Sequence, residues 1–346
     1  MSRPRMALVG LGMAVRPHAQ SYLDLAERVE LAYAYSPSAE RRAAFAADFP
    51  FPIAESLEQV LEDESVTAVA LLTPPNTHLE LVERCAAAGK HVLLEKPLEV
   101  SPPRCLALVV ACERAGVTLG VVLQHRFRSS GLRLRALLAD GALGRLAGAS
   151  VSIRNWRPQD YYDQPGRGEL ARDGGGVLLT QGIHTLDLFQ SLVGMPEEVF
   201  AYATTSAVHE METEDLVAGS LRFGDGVLGS LEATTAAYPG HPERISLIGE
   251  AGCAEIVGTS LEVRWHDGRT ETLEAEAGQG GTGGGTGADP MAFPNDTHRA
   301  LIADFLDALE QGRKPAVTGR EALKVHRLIE ALLQSAETGA AVRLSG

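Results

Sequence analysis

Residues 6–12, which read MALVGLG, decide the fold. The four apolar residues predict a buried strand, and a glycine turn follows it directly, ahead of a helix-compatible stretch that runs to about residue 28. A strand, a glycine turn and a helix are the context that a dinucleotide-binding fingerprint requires. Gly10 would permit the tight turn, and Gly12 would let backbone N–H groups approach a pyrophosphate at the positive end of the helix. Val15 replaces the third glycine of the pattern, so strand and helix should pack less closely there.

Strands and helices alternate after this turn. The predicted strands lie at residues 30–36, 67–73, 91–94 and 117–124. The helices between them start at capping residues, namely Ser38, Ser56, Asn76 or Thr77, and Ser101. This alternation predicts an α/β fold with a doubly wound parallel sheet, which is a Rossmann domain of residues 1–125.

Residues 126–346 are predicted to form a second, α+β domain that binds the substrate. Several stretches alternate apolar and polar residues and are joined by hairpin turns such as residues 224–226, which indicates a large, mostly antiparallel open sheet. An apolar sheet face of this kind favours a dimer contact. The closing helices, at about residues 296–311 and 319–337, could pack back on the first domain. The glycine-rich stretch 278–287 is interpreted as a mobile loop.

The charge balance excludes several classes of partner. The chain has 346 residues, with 31 Lys and Arg against 45 Asp and Glu, which gives a net charge of −14. This charge opposes binding to nucleic acid or to an anionic membrane, and no segment reaches the length of a membrane span. The four cysteines show neither metal-ligand spacing nor the density of a disulfide scaffold. We therefore expect no metal site and reduced thiols in a cytoplasmic protein without a signal peptide.

The motif Glu95-Lys96-Pro97 ends another apolar run, residues 91–94. A buried parallel strand there would hold Lys96 rigidly at the edge where open α/β sheets bind ligands, and Pro97 would end the strand. The alternative is a solvated lysine at a strand end. An isolated short motif supports both interpretations equally.

The type of dinucleotide should be set at the end of the second strand, where a carboxylate typically binds the ribose of NAD. Ser36 stands there, with Arg41 and Arg42 shortly after it. A hydroxyl tolerates a 2′-phosphate and an arginine can pair with it in a bidentate manner, so NADP is favoured slightly over NAD. Either arginine could equally be a solvated charge on a helix surface.

A polar, aromatic-rich connection, residues 158–173, follows a long predicted strand. Loops of this length usually cover a site or are disordered, and their aromatic residues make disorder the weaker explanation here. Trp156 and Tyr161, together with Arg157 and Arg167, would suit a small polyhydroxylated substrate. The alternative for each of them is a place in an aromatic-anchored surface loop.

A single apolar helix is predicted over residues 177–193, with Thr180, His184 and Asp187 near one stripe. A histidine in such a helix is more often a hydrogen-bonded core residue than a catalytic one, and proximity to a catalytic lysine would reverse that preference. His298, in the first turn of a closing helix, could face the site, but a place at the surface is the preferred interpretation.

The assembled motifs resemble those of the glucose-fructose oxidoreductase, inositol dehydrogenase and MocA family (Gfo/Idh/MocA) of NAD(P)-dependent oxidoreductases. The resemblance covers nearly the whole chain and rests on Gly10-Leu11-Gly12, Thr73-Pro74-Pro75-Asn76 with His78, Glu95-Lys96-Pro97, Gly174-Gly175-Gly176, Gly182-Ile183-His184 and Leu186-Asp187-Leu188. It implies that Lys96 and His184 are catalytic and lie beside the nicotinamide. It also implies oligomerisation through the second domain's sheet, as a homodimer or homotetramer. Thr180 departs from the family pattern, since many members have an aspartate there.

The expected cofactor-binding residues are Gly10, Gly12, Met13, Ser36, Arg41, Thr73, Pro74, Asn76, His78, Glu95 and Lys96. The expected substrate-binding residues are Gln124, Arg126, Trp156, Arg157, Tyr161, Arg167, Thr180 and Asp187. For the prolines of the loop after the third strand, ordinary turn chemistry explains the sequence as well as cofactor binding does.

The resulting hypothesis is an oxidoreductase that transfers hydride between a nicotinamide and a secondary alcohol or ketone of a sugar, cyclitol or sugar-derived acid. Lys96 would stabilise the developing alkoxide, and His184 would accept the hydroxyl proton. One alternative is a dinucleotide-dependent sensor or regulatory binding protein without turnover, which the uncharged Thr180 favours. The other is a redox-assisted glycosidase, in which transient oxidation weakens the glycosidic bond and the cofactor is regenerated.

Overall fold

The chain forms two compact units. In the computed structural model, residues 3–275 and 294–344 are described. The first unit comprises Met1–Gln124 together with Pro294–Leu323, and the second comprises His125–Phe293 together with Lys324–Gly346. The glycine-rich stretch interpreted as a mobile loop, residues 278–287, lies outside the described residues.

The first 122 residues alternate strands and helices as the sequence predicts. The elements are β1 (Arg5–Val9), α1 (Val15–Asp24), β2 (Glu30–Tyr35), α2 (Ala39–Asp48), α3 (Leu57–Glu62), β3 (Val66–Leu71), α4 (His78–Ala87), β4 (His91–Glu95), α5 (Pro102–Ala115) and β5 (Leu119–Val122). Two of the predicted caps are present, because the Ser38 hydroxyl accepts the N–H of Arg41 and the Ser56 hydroxyl accepts the N–H of Gln59. Each cap satisfies a backbone donor that the first helical turn leaves unpaired.

The five strands form one parallel sheet in the order β2-β1-β3-β4-β5. Its centre is apolar, and residues 68–71 of β3 are fully buried. Because the strands are parallel, their carboxyl ends meet at one edge of the sheet. Gly10, Ser36 and Lys96 directly follow β1, β2 and β4 and therefore lie along this edge. The predicted Rossmann-type fold is confirmed.

The rest of the chain is built largely on a second sheet. Its elements are α6 (Ser129–Ala139), β6 (Leu146–Arg154), α7 (Gln159–Tyr162), α8 (Leu170–Asp173), α9 (Val177–Thr180), α10 (Ile183–Val193), β7 (Glu198–Thr204), β8 (Leu216–Arg222), β9 (Leu228–Thr234), β10 (Arg244–Gly249), β11 (Gly252–Val257), β12 (Ser260–Trp265), β13 (Thr270–Leu273), α11 (Asp296–Gln311), α12 (Gly319–Thr338) and β14 (Val342–Arg343). None of the helices in the described ranges is both long and apolar enough to cross a lipid bilayer.

In the described part of the second unit, nine strands form one sheet, in the order β13-β12-β11-β10-β6-β9-β8-β7-β14. Neighbouring strands are antiparallel except for β6 and β9, which are parallel. The predicted mostly antiparallel sheet is thus confirmed. One face packs against helices of the same unit, whereas the opposite face exposes Tyr202, Leu228 and Ile248, of which 69%, 63% and 54% are accessible. We call this second surface the open face.

The segment Pro294–Leu323 closes one edge of the first unit's sheet. The N–H of Val121 in β5 donates to the carbonyl oxygen of Val317 at 3.0 Å, and Gly120 pairs with Thr318. A Cβ atom at Gly120 would lie 2.7 Å from the ring of Phe305 in α11, so glycine lets α11 pack directly on the strand. The edge strand is therefore covered, which blocks pairing with another chain.

The prediction of a single helix over residues 177–193 is wrong, because the structure has two separate helices there, α9 and α10. The N–H of Gly182 donates to the carbonyl oxygen of Val177 at 2.7 Å, a spacing of five residues that widens the turn between the two helices. Thr180 and His184 consequently do not share one continuous helical stripe. The Glu214 carboxylate accepts the N–H of Gly176 at 3.0 Å and so supplies an acceptor at the start of α9.

Candidate functional site

The glycine turn after β1 has the geometry of a pyrophosphate-binding loop. Gly10 adopts φ +104°, and a Cβ atom there would lie 2.7 Å from the carbonyl carbon of Leu72, so only glycine fits. A Cβ atom on Gly12 would meet nothing within 4 Å, which leaves open space beside the turn. No side chain among the described residues caps α1 at Val15, so the positive end of this helix can receive an anion. Met13 is 56% exposed next to this space.

Two arginines follow β2, and they have different surroundings. Arg42 binds protein groups, because its Nη1 donates to the carbonyl oxygen of Ser36 at 2.7 Å and its Nη2 lies 3.6 Å from Glu55. Arg41 is exposed and lines a cavity of about 140 Å³, together with Val15 and Arg16 among others. Ser36 itself is buried at the strand end. Arg41 is therefore the cation of this pair that is better placed to meet a phosphate.

The loops after β3 and β4 are fastened to each other through His78. Its Nε2 lies 2.8 Å from the carbonyl oxygen of Thr73, and its Nδ1 lies 3.1 Å from that of Pro97. Burial lowers the pKa of His78, although its contacts with backbone carbonyls act in the opposite direction. Pro74 and Asn76 are exposed on the first of these loops. His78 is itself buried, so it holds these two loops in place at the carboxyl edge of the sheet from inside the protein.

The Glu95 side chain connects Lys96 to α1. Its Oε1 lies 2.7 Å from Nε2 of His18, and its Oε2 accepts the backbone N–H of Lys96 at 3.0 Å. Burial acts to raise the pKa of Glu95, but the His18 hydrogen bond and nearby positive charge outweigh it, so the pKa lies below its ordinary value. Glu95 therefore stays ionised while only 8% exposed. Lys96 is half-buried and is joined to Pro97 by a cis peptide bond.

A second imidazole completes this buried group. His298, which the sequence places at the surface, is only 4% exposed, so that expectation is wrong. Its ring stands edge-on to that of His18, with the centroids 5.1 Å apart. Burial is the main cause that lowers the pKa of His298 to about 3, so its imidazole is neutral. One donor atom from each of His18, Glu95 and His298 lies within 4.8 Å of the others.

In the second unit, two predicted substrate residues bind each other. Arg126 and Asp187 form a bidentate ion pair, with Nε–Oδ2 at 2.7 Å and Nη2–Oδ1 at 2.6 Å, and both side chains are buried. Gln124, which begins the short 3₁₀ turn that contains Arg126, has a buried Oε1 without a hydrogen-bond partner among the described residues. That amide oxygen can accept a hydrogen bond from a ligand.

His184 lies in the first turn of α10 and is half-buried. Its ring is 4.9 Å from that of His125, centroid to centroid, and Nδ1 of His125 lies 3.8 Å from Glu243. Neither His125 nor Glu243 is among the site residues expected from the sequence, because the two come from distant segments and only the fold brings them together. Thr180 donates its hydroxyl to the carbonyl oxygen of Gly176 at 2.7 Å and so supports the turn before α10.

The aromatic-rich connection after β6 is an ordered surface. The Tyr161 ring receives two guanidinium groups, those of Arg157 at 5.6 Å and Arg167 at 5.2 Å. The buried His209 binds Asp215 at 2.6 Å through Nδ1 and the carbonyl oxygen of Arg157 at 2.8 Å through Nε2. The structure therefore brings Arg157, Tyr161 and Arg167 together. Trp156 stands beside them in sequence and packs edge-on against Tyr238.

Two family models match the chain. Residues 4–123 match the oxidoreductase family with an NAD-binding Rossmann fold, and residues 132–255 match the Gfo/Idh/MocA C-terminal domain. The chain belongs to the Gfo/Idh/MocA family.

Similar proteins of known activity agree with this assignment. A D-xylose 1-dehydrogenase (NADP(+)) of Haloferax volcanii is 30% identical over 88% of this chain and 89% of its own length. The myo-inositol 2-dehydrogenase of Thermotoga maritima is 27% identical over 83% and 82%. The WlbA dehydrogenase from Bordetella pertussis, solved in complex with NADH and UDP-GlcNAcA, is 28% identical and matches with a TM-score of 0.84 over 100% of both chains.

The chain is thus an NAD(P)-dependent oxidoreductase that transfers hydride between the nicotinamide and CH–OH groups, or the corresponding carbonyl groups, of sugars or related polyols. The Rossmann domain, whose glycine turn has the required geometry, binds the dinucleotide. Neither the sensor nor the glycosidase alternative receives support from these similarities.

Proposed function

We propose that Lys96 and His184 are the catalytic residues of this Gfo/Idh/MocA oxidoreductase. The observation on which the proposal rests is the 2.7 Å contact between Glu95 and His18, because it joins the residue before Lys96 to the helix that receives the dinucleotide. A cation fixed in this way stands at the carboxyl edge of the sheet, where the nicotinamide of a bound dinucleotide would lie. When bound, the nicotinamide supplies the site that accepts or donates hydride.

Lys96 would hydrogen-bond the reacting oxygen of the substrate. Its ammonium group stabilises the negative charge that develops on that oxygen as hydride leaves, and it polarises the ketone in the reverse direction. His184 would take the hydroxyl proton, since an imidazole has an ordinary pKa of roughly 6.5, close to neutral pH. The proposal requires both side chains to reach the same alcohol.

The substrate would be a sugar, a cyclitol or a sugar-derived acid. Arg157 and Arg167, gathered on the Tyr161 ring, offer donors for hydroxyl groups or for a carboxylate, and Trp156 offers an apolar face for a sugar ring. Gln124 contributes the buried amide oxygen described above. Of these three substrate classes, a sugar acid has a carboxylate that can pair with the guanidinium groups of both Arg157 and Arg167.

The cofactor preference is proposed to be NADP. Ser36 carries no charge that would repel a 2′-phosphate, and the exposed Arg41 lines the adjacent cavity. Preferred binding of NAD by the purified enzyme would contradict this assignment.

The direct test compares Lys96→Met with the wild type. Thermal-shift titration with NAD and NADP identifies the cofactor, and a panel of sugars, cyclitols and sugar acids then identifies the substrate. Lys96→Met should lower kcat by about 10²–10⁴-fold while the cofactor Kd changes little, because the ammonium acts on the transition state. Lys314→Met, on a chain segment outside the cofactor edge, is the matched control. Turnover by Lys96→Met close to that of Lys314→Met would reject the assignment.

The open face of the second sheet is proposed to bind a second copy of the chain in the cytoplasm. Tyr202, Leu228 and Ile248 form an apolar surface that is exposed to water in a single copy of the chain. All four cysteines are free thiols, as expected in a reducing compartment. Sedimentation should find a homodimer or homotetramer that Leu228→Glu dissociates. A monomeric wild type at micromolar concentration would contradict the proposal.

A further inference from the structure

We propose that His18 and His298 are positioning residues for Lys96, which they act on through the Glu95 carboxylate. This inference rests on the proposed function of Lys96. It assigns roles to two buried histidines that lie far from each other and from Lys96 in the sequence, and all the residues involved belong to the first unit.

The Glu95 carboxylate is held at both oxygens. Oε1 binds Nε2 of His18 in α1, and Oε2 accepts the backbone N–H of Lys96. A carboxylate fixed at two points orients the peptide that leads into the lysine side chain. The backbone from which the ammonium group extends is therefore tied to α1, whose positive end lies at the glycine turn.

The direction of the His18 hydrogen bond follows from its surroundings. An ionised carboxylate only accepts, so Nε2 of His18 must carry a proton and donate it. Nδ1 of His18 is buried without a hydrogen-bond partner among the described residues. Nε2 is therefore the atom through which His18 acts on Glu95.

His298, in α11, packs against the Glu95–His18 pair. Its ring packs edge-on against His18, and only 4% of the residue is exposed. Water is therefore kept from the Glu95–His18 contact, and a hydrogen bond to a charged group is stronger where water is excluded. This packing would restrict the Glu95 side chain to one orientation.

The same three residues could be considered as a metal site, but the distances favour a hydrogen-bonded group. Ligands about 2.0 Å from a tetrahedral zinc ion are about 3.3 Å from each other. The Glu95 and His18 atoms are 2.7 Å apart, which is a charge-assisted hydrogen-bond distance. The positive charge of Lys96, close enough to affect both Glu95 and His298, also opposes a second cation.

The test exploits the small number of lysines in the chain. There are four, Lys90, Lys96, Lys314 and Lys324, so selective ¹⁵N-lysine labelling gives four backbone amide signals. Lys96→Met identifies the Lys96 signal by its loss. His18→Leu should move this signal and leave the other three in place, whereas His18→Gln, which keeps a donor near the carboxylate, should restore it.

Kinetics then separate positioning from general stability. His18→Leu should lower kcat by about 10²-fold, the cost of a misplacement of about 1 Å, with KM and the cofactor Kd nearly unchanged. His18→Gln should recover most of that loss. Tyr22→Phe removes another buried hydrogen bond of α1, from the Tyr22 hydroxyl to Sδ of Met6 at 3.9 Å, and should leave kcat unchanged.

Several results would overturn the inference. One is a Lys96 amide signal that does not move in His18→Leu, and another is a kcat that Tyr22→Phe lowers as much as His18→Leu does. Stoichiometric zinc whose removal by a chelator abolishes activity would favour the metal site instead. If His18→Leu does not fold, Glu95→Gln takes its place as the disruptive variant, and it is compared with His18→Gln in the same way. An active Lys96→Met would reject the proposed function, whereas an inactive Lys96→Met with a normal His18→Leu would reject only the positioning role.

Discussion

Arg126 binds both carboxylate oxygens of Asp187 in the interior of the second unit, at 2.7 and 2.6 Å. The pair joins the turn Gln124–Phe127 to α10, whose first turn contains His184. A bidentate ion pair fixes the relative orientation of its two partners as well as their distance. Arg126 and Asp187 thus determine where the proposed proton acceptor is held.

Removing one partner of this pair should destabilise the enzyme strongly. Asp187→Ala removes the carboxylate that binds this buried guanidinium at two points, and we expect a loss of about 3–5 kcal/mol in the free energy of unfolding. The double variant Arg126→Met/Asp187→Leu, which removes both charges, should lose much less. Urea unfolding measures both changes.

The exposed pair Arg154–Glu232 is the control for this prediction. It is also bidentate, at 3.0 and 2.7 Å, but water reaches both side chains. Glu232→Ala should therefore cost only about 0–1 kcal/mol. Equal losses for Asp187→Ala and Glu232→Ala would show that burial of the pair does not matter.

The two glycines of the turn after β1 should respond differently to alanine. Gly10→Ala places a Cβ atom against the backbone of Leu72 at positive φ, so it should lower stability by about 1–3 kcal/mol. Gly12→Ala fills open space and should leave the melting temperature unchanged. It should nevertheless weaken dinucleotide binding, because the added methyl group occupies the approach to α1. Unchanged NADP affinity of Gly12→Ala would place the pyrophosphate elsewhere.

Acid should destabilise the first unit through His298. Burial lowers the pKa of His298 to about 3, so between its unfolded value of about 6.5 and that pH the unfolded chain binds the extra proton. Stability should thus fall with decreasing pH in this window, by about 1.4 kcal/mol per pH unit from this group. His298→Leu should flatten the dependence.

Calorimetry is the suitable measurement for this pH dependence. Both tryptophans of the chain, Trp156 and Trp265, belong to the second unit, so tryptophan fluorescence would not report on unfolding of the first. His326→Leu provides a comparison, because burial lowers the pKa of His326 to about 4 and its removal should flatten the pH dependence of unfolding of the second unit instead. A His298→Leu variant with the slope of the wild type would contradict the expectation.

Arg41 should discriminate between the two dinucleotides. Arg41→Ala should raise the Kd for NADP by about tenfold, the loss of one charge-assisted hydrogen bond, and leave the Kd for NAD unchanged. Arg42→Ala should instead affect both cofactors alike, because Arg42 holds the Ser36 carbonyl oxygen. Fluorescence titration at two salt concentrations would check the charge dependence. Equal losses for NAD and NADP in Arg41→Ala would contradict a 2′-phosphate contact.

The first 122 residues could be predicted because their structure is encoded locally. Each strand is a short apolar run, and helices such as α2 begin at a capping hydroxyl, here Ser38. The glycine turn and Lys96 could be placed at one edge because parallel strands share their direction. Local signals of this kind need no knowledge of distant partners.

Features that depend on distant residues could not be predicted in this way. The helix over residues 177–193 is periodic in sequence, but the structure breaks it at Gly182, and the part before the break binds the distant Glu214 through the N–H of Gly176. The Arg126–Asp187 pair joins residues 61 positions apart. Both were selected as substrate residues from their motifs, and a motif does not reveal that two charges neutralise each other.

The late position of Pro294–Leu323 in the chain has a consequence for biosynthesis. Translation completes β5 long before this segment leaves the ribosome, and until then the outer edge of the Rossmann sheet has no cover. A nascent chain that ends near Gln124 presents unpaired backbone groups along Gly120 and Val121, which is the kind of surface that chaperones bind and aggregates extend. The cofactor-binding unit therefore reaches its final form only after residues up to Leu323 have been made.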